Sequence, residues 1–160
     1  MITMYFLRNL PSVTPKFYHF IIRQLSSSSS SSAAASSDHQ LSEVEYEHVV
    51  NETLESLTEA FETLLEKHKL PSDVYYSNGV VTVELNQQGT YVINKQTPNR
   101  QIWLSSPFSG PKRYDFFNQT WIYKHDGISL HKLLNKEFSN IFKNDKNINF
   151  ETCSYGKKSE

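Results

Sequence analysis

The chain has 160 residues, 16 basic and 17 acidic side chains, a formal net charge of −1 and one cysteine. That length has room for one domain, and the charge balance argues against nucleic acid as the main partner. A lone Cys153 excludes a disulfide framework or thiolate metal site within one chain, and no segment reaches the roughly 18 apolar residues of a membrane span.

Residues 1–37 carry Arg8, Lys16 and Arg23 but no acid; the first carboxylate is Asp38. Hydroxylated residues are frequent there, and apolar and basic positions mix, as in Phe20, Ile21, Ile22 and Arg23. This is the composition of a mitochondrial transit peptide, whereas a secretory signal needs an uninterrupted apolar core. Arg23-Gln24-Leu25-Ser26 resembles a matrix-processing site. The serine run from Ser26 to Ser32 cannot bury apolar surface and is expected to be disordered. Residues 1–40 are therefore set aside as transit peptide and poly-Ser segment, residues 41–150 as the domain and residues 151–160 as a partly ordered tail. Taking the three bases of residues 1–37 from 16, and no acid from 17, leaves a net charge of −4.

Ser42 with Glu45 three residues on writes a capping box, so a helix starts there and ends before Pro71. At about 100° per residue, Glu45, Glu52, Glu55, Glu59, Glu62 and Glu66 share one face. Tyr46, Val49, Val50, Leu54, Leu57, Phe61, Leu64 and Leu65 fill the other. No Lys or Arg interrupts the acidic stripe, and like charges at i,i+3 and i,i+4 cost about 0.2–0.5 kcal/mol per pair. Such a stripe is either a solvated face or a negative field presented to something cationic. His48 lies at nearly the azimuth of Glu52 and Glu59. It is either an exposed histidine or half of a mixed imidazole–carboxylate cation site with Glu52.

Val74 to Tyr76 is a short β-prone run, and Asn78-Gly79 signals a hairpin into Val80 to Leu85. Gln87-Gln88-Gly89 turns into Thr90 to Gln96, and Thr97-Pro98-Asn99 turns into Arg100 to Ser105. Pro107 to Pro111 reads as a loop. Tyr114 to Phe117 and Gln119 to Tyr123 pair next, and Ser129 begins a second helix running to about Phe142. Helix, antiparallel strands and helix together predict an α+β two-layer sandwich, with both helices on one sheet face.

The other face is left open. Alternation sets Ile102 and Leu104 toward the helices and Gln101, Trp103 and Ser105 away from them, beside Val92, Asn94 and Gln96. Trp103 is therefore expected to be exposed on the open face, as a binding hot spot; an inverted register would instead make it core.

Gly89 to Pro107 reads GTYVINKQTPNRQIWLSSP, Ser109 to Asp115 reads SGPKRYD, and His125 to Leu130 reads HDGISL. From about Tyr46 to Leu134 the chain closely resembles the frataxins, small mitochondrial proteins of iron–sulfur cluster assembly. The resemblance implies the sandwich and a matrix location. It implies weak ferrous and ferric iron binding at Glu52, Glu55, Glu59, Glu62 and Asp73. It also implies docking on a cysteine desulfurase–scaffold complex through Asn94, Gln101, Trp103 and Arg113, with activation of the desulfurase and delivery of iron. The alternative it carries is an iron chaperone or storage protein with ferroxidase activity. Ferrochelatase is a further implied partner, and a monomer with iron-dependent oligomers the implied state. The chain departs from the pattern at Leu70-Pro71-Ser72-Asp73, which is short and keeps one acid, with Glu84 adding another on the next strand.

Carboxylates are hard ligands suited to iron without being selective for it. A convex helix face cannot enclose a cation, so the sites it offers are weak and incompletely coordinated. The paired Glu-x-x-His ligands of an enclosed di-iron bundle are not written here, and no residue is assigned a catalytic role.

Overall fold

The computed structural model describes residues 41–69, 71–143 and 145–157. The transit-peptide and poly-Ser assignments, Leu70 and residues 158–160 lie outside them. Helix α1, Glu43–His68, opens on the expected capping box: Glu45 N donates to Ser42 Oγ (3.2 Å) and Ser42 N to Glu45 Oε2 (2.8 Å). Lys69 closes it in a left-handed conformation, φ 49°, donating its N–H to Glu66 O. Six strands follow: β1 Asp73–Ser77, β2 Val80–Glu84, β3 Thr90–Gln96, β4 Gln101–Ser106, β5 Gly110–Phe117 and β6 Thr120–Tyr123. They form one antiparallel sheet in sequence order. Helix α2, Leu130–Ile141, is capped by Ser129, whose hydroxyl accepts from Lys132 N.

Both helices cover the same sheet face. Tyr46, Leu54, Leu57 and Phe61 of α1 and Leu130, Leu134 and Phe138 of α2 share a core with Val81, Val83, Tyr91, Ile93, Ile102, Leu104, Tyr114 and Trp121. The buried set of α1 contains all eight apolar residues that its periodicity selects, joined by Thr53 and Thr58. Each threonine is satisfied locally, donating its hydroxyl to the carbonyl four residues back.

One boundary differs from expectation by more than a residue. Strand β5 begins at Gly110 rather than Tyr114, because the turn is only Pro107–Ser109, held by Phe108 N and Ser109 N donating to Ser106 Oγ. Pro111 therefore pairs within the sheet, opposite Ser105. β6 pairs with β5 only from Tyr114 onward. Pro111 thus sits where β5 has a neighbour on one side alone, which is where sheets tolerate proline.

Tyr46 ties helix to sheet through its hydroxyl, which donates to Gln101 O (2.9 Å) and accepts from Gln96 N (2.8 Å). Both partners flank the β3–β4 connection. Tyr46→Phe keeps the ring and strands those two backbone groups, so it is expected to lower stability by about 1–3 kcal/mol, read as a lower urea midpoint at unchanged m-value.

The segment after α2 is packed rather than trailing. Asp145 is gripped by Lys67 Nζ (2.6 Å) and His68 Nε2 (2.9 Å) at the end of α1. Phe150 inserts between Phe61 and Phe138, ring centroids 4.9 and 5.2 Å away, and its N–H donates to Asn135 Oδ1. Cys153 and Tyr155 pack against the core, and Ser154 N donates to Ser56 Oγ (3.0 Å). The residues expected to form a partly ordered tail thus lie against the domain as far as these contacts reach.

His131 is wholly buried in α2, and among the described residues neither ring nitrogen finds a partner of hydrogen-bond geometry. Burial pushes its pKa down to about 4; the backbone of Ser154 offsets only part of that push. The unfolded chain therefore binds the extra proton first. Stability is full above the ordinary histidine value of 6.5, and on the order of 3 kcal/mol is lost as pH falls from there to about 4. Asp145 acts lower: Lys67 beside it holds its carboxyl at about 2, so its contribution fades below 3.8. Unfolding free energies from pH 7 to 4 should show the His131 step in the wild type and lack that step in His131→Leu.

Candidate docking face and acidic stripe

On the open face β3, β4 and β5 set three side chains abreast: Asn94 opposite Trp103, and Trp103 opposite Arg113. One row over, Gln96, Gln101 and Asp115 are aligned in the same way. A polar chain links the rows. Trp103 Nε1 donates to Gln101 Oε1 (3.0 Å), and Gln101 Nε2 donates to Asp115 Oδ1 (3.0 Å). The Arg113 guanidinium lies 4.8 Å from the Trp103 ring centroid, within cation–π range. Asn94 Nδ2 donates to the carbonyl of Lys95, and Lys124 Nζ stands 3.5 Å from Asp115.

The structure thus brings Asn94, Gln101, Trp103 and Arg113 together, on the face that alternation selects. It corrects one expectation: Trp103 is not exposed. Only 5% of it is accessible, although it lies outside the helix-side core. The cause is its place in a central strand, with Arg113 laid over the ring and Gln101 holding the indole edge. The exposed part of the cluster is Arg113 itself.

On α1, Glu55, Glu59, Glu62 and Glu66 are exposed. Glu45 is engaged in the cap. Glu52 is partly covered, because Tyr155 donates its hydroxyl to Glu52 Oε2 at 2.5 Å; that bond is the first cause of a Tyr155 pKa raised to about 12. His48 Nε2 stands 3.7 Å from the same oxygen, and the His48 side chain is 69% exposed. Asp73 pairs across the strands with Glu84. It shares a cleft of about 460 Å³ with Glu62, Glu66, Lys69 and Ser72, between the end of α1 and β1. Glu62 and Asp73 are therefore brought to one place, while Glu52, Glu55 and Glu59 are strung along the helix before it. Among the described residues no three His, Cys, Asp or Glu side chains converge as a ligand set.

Two further groups were not evident from pattern. Glu47 bonds Lys95 Nζ (2.7 Å) and Thr97 Oγ1 (3.0 Å), clasping α1 to the β3–β4 turn, and the Lys95 bond holds its carboxyl below the usual range. Buried Glu137 accepts from Tyr91 OH (2.8 Å) and Ser106 Oγ (2.7 Å), which in turn fixes the β4–β5 turn. Only a register places these partners, so no local signal marks them.

Residues 39–144 match the family model described as a Frataxin-like domain. The chain belongs to the frataxin family. It is 56% identical over 105 residues to the mitochondrial frataxin homologue of Drosophila melanogaster, covering 61% of this chain and 55% of that protein. The chain thus spans little more than half the length of that relative. Mitochondrial frataxin of Caenorhabditis elegans is 48% identical over 109 residues, 66% of this chain and 80% of its own. Among solved structures, yeast frataxin aligns with TM-score 0.58 and 39% identity, covering 72% of this chain and 98% of that one. A trimeric frataxin of Saccharomyces cerevisiae, described as complexed with ferrous iron, aligns with TM-score 0.55 and 37% identity over 69% and 93%. Two helices packed on a six-stranded antiparallel sheet are the arrangement these frataxin structures share with this chain. No helix among the described residues is long and apolar enough to cross a membrane.

Proposed function

We propose that this frataxin is a mitochondrial matrix accessory protein of iron–sulfur cluster assembly that docks on a cysteine desulfurase–scaffold complex and activates it. The observation that carries this reading is the preorganised cluster of Asn94, Gln101, Trp103 and Arg113 on a sheet face that no helix among the described residues covers. Arg113 offers a planar fork of donors to a carboxylate or carbonyl, and Asn94 and Gln101 offer amides. Trp103 supplies the flat apolar platform that keeps Arg113 extended over the sheet. The acidic stripe of α1 adds a field that draws a basic surface toward the complex. Activation then follows if the docked face is complementary to the sulfur-transferring state of the complex and shifts its population. Sulfide release by the desulfurase–scaffold complex should rise saturably as this protein is added; an unchanged rate at saturating protein would overturn the reading.

Iron enters as loosely held cargo. The yeast relative complexed with ferrous iron supports cation binding in the family, and Glu52, Glu55, Glu59, Glu62 and Asp73, with His48 beside Glu52, are the groups we assign to it here. Carboxylates on a convex face leave most of a cation's coordination to water, which fits weak, exchangeable binding and transfer. The second reading, an iron chaperone with ferroxidase activity, starts from the same exposed carboxylates. It predicts dioxygen consumption in step with ferrous oxidation, in the absence of any assembly partner.

A further inference from the structure

The C-terminal segment makes one contact that a merely stabilising strap would not need. Its residues 153–156 form a tight turn: Gly156 N donates to Cys153 O (3.0 Å), and Tyr155 is left-handed at φ 59°. Gly156 is buried so closely that a Cβ there would meet the Glu151 backbone at 2.7 Å. Ser154 N pins the turn to Ser56 Oγ on α1. The Tyr155 ring stands edge-on to Phe116 of β5, centroids 5.3 Å apart. Held on three sides, its hydroxyl is delivered to Glu52 Oε2, a member of the acidic stripe 103 residues away in sequence.

We propose that Tyr155 gates Glu52: the phenol and a divalent cation compete for the same carboxylate, so that cation binding there and docking of the C-terminal turn oppose each other. This rests on the reading of Glu52 as a cation ligand. A carboxylate that accepts a short hydrogen bond has one oxygen engaged by a positive dipole. A cation at that oxygen repels the phenolic proton and draws away the electron density the bond uses. His48, 3.7 Å from the same atom, is the neighbour placed to take up coordination once the phenol leaves. Because coupling between two events is reciprocal, undocking the turn must tighten the cation by the factor that the cation loosens the turn. The C-terminal turn therefore tunes one end of the stripe, while the Glu62–Asp73 cleft at the other end is free of that control.

Cobalt(II) serves as an air-stable probe, followed by paramagnetic broadening near residue 52 and by hydrogen exchange of the Ser154 amide. In the wild type, saturating cobalt(II) should speed Ser154 exchange several-fold. Tyr155→Phe keeps the ring on Phe116 and should bind cobalt(II) near residue 52 several-fold more tightly. Glu52→Gln keeps an oxygen acceptor for the phenol and should lose both the broadening and the exchange response. Broadening at residue 52 with unmoved Ser154 exchange would overturn the gate while leaving Glu52 a ligand. Weaker binding in Tyr155→Phe would overturn it too, since the phenol would then be a ligand itself. Unchanged binding and broadening in Glu52→Gln would overturn the ligand reading and the gate together.

Discussion

Trp121→Ala is expected to lower stability by about 3–5 kcal/mol, the cost of emptying a large aromatic site in a core that collapses only in part. Trp121 is wholly buried at the junction of β6 with α1. Its ring meets Tyr46 and Phe116 edge to face, at 6.2 and 4.9 Å between centroids. Its Nε1 donates to Thr53 Oγ1 at 2.8 Å, and the Thr53 hydroxyl in turn donates to Val49 O. Removing the indole withdraws packing from helix and sheet together. Trp121→Phe keeps most of the volume and loses the N–H donor, so it should cost less than half as much. Against a typical domain stability of about 5–15 kcal/mol, the alanine variant stands near the edge of folding. Urea midpoints of the two variants at a common m-value read the ordering directly.

The second large effect runs in opposite directions for binding and stability. Replacing Glu52, Glu55, Glu59 and Glu62 together by glutamine should abolish weak cation binding along the stripe and yet make the protein more stable. Glu52 and Glu55, Glu55 and Glu59, and Glu59 and Glu62 are i,i+3 or i,i+4 neighbours on α1, and Glu62 repels Glu66 one turn on. Relieving these repulsions should gain about 1 kcal/mol. A face that is more stable without its charges is one kept for what the charges do. Cobalt(II) titration and urea unfolding of the same variant test both halves. A variant that is no more stable would show that the stripe is a relaxed, solvated surface.

Much of this architecture is legible in the sequence. The capping box at Ser42 and Glu45, the apolar stripe from Tyr46 to Leu65 and the Asn78-Gly79 hairpin are local signals, and local signals decide helix starts and tight turns. Alternation through Gln101-Ile102-Trp103-Leu104-Ser105 also put Trp103 on the right face. It could not show that Trp103 is covered, because the cover comes from Arg113 on the next strand. A period of two assigns faces and says nothing about which side chain across the ladder lies over a ring. The packing after α2 was hidden for a related reason. Phe150, Ser154 and Tyr155 find partners at Phe61, Ser56 and Glu52, about 90 to 100 residues earlier, and no periodicity in a short polar segment announces them. His131 and Glu137 are polar residues on the buried side of α2. Their burial depends on tertiary neighbours that override local composition.

The burial of Trp103 also changes which variant probes the docking face. Trp103→Ala would empty a covered site and unseat Gln101, so a lost activity would mix folding with recognition. Arg113 is exposed on the same cluster, and its removal uncovers the Trp103 ring without emptying a packed site of the helix-side core. The decisive measurement is sulfide release by the desulfurase–scaffold complex, titrated with wild-type protein and with Arg113→Ala of matched thermal stability. If this face docks the complex, the variant should need at least about tenfold more protein for half-activation, the scale of a hot-spot arginine. Equal half-activation concentrations for the two proteins would contradict the assignment of the open sheet as the docking face.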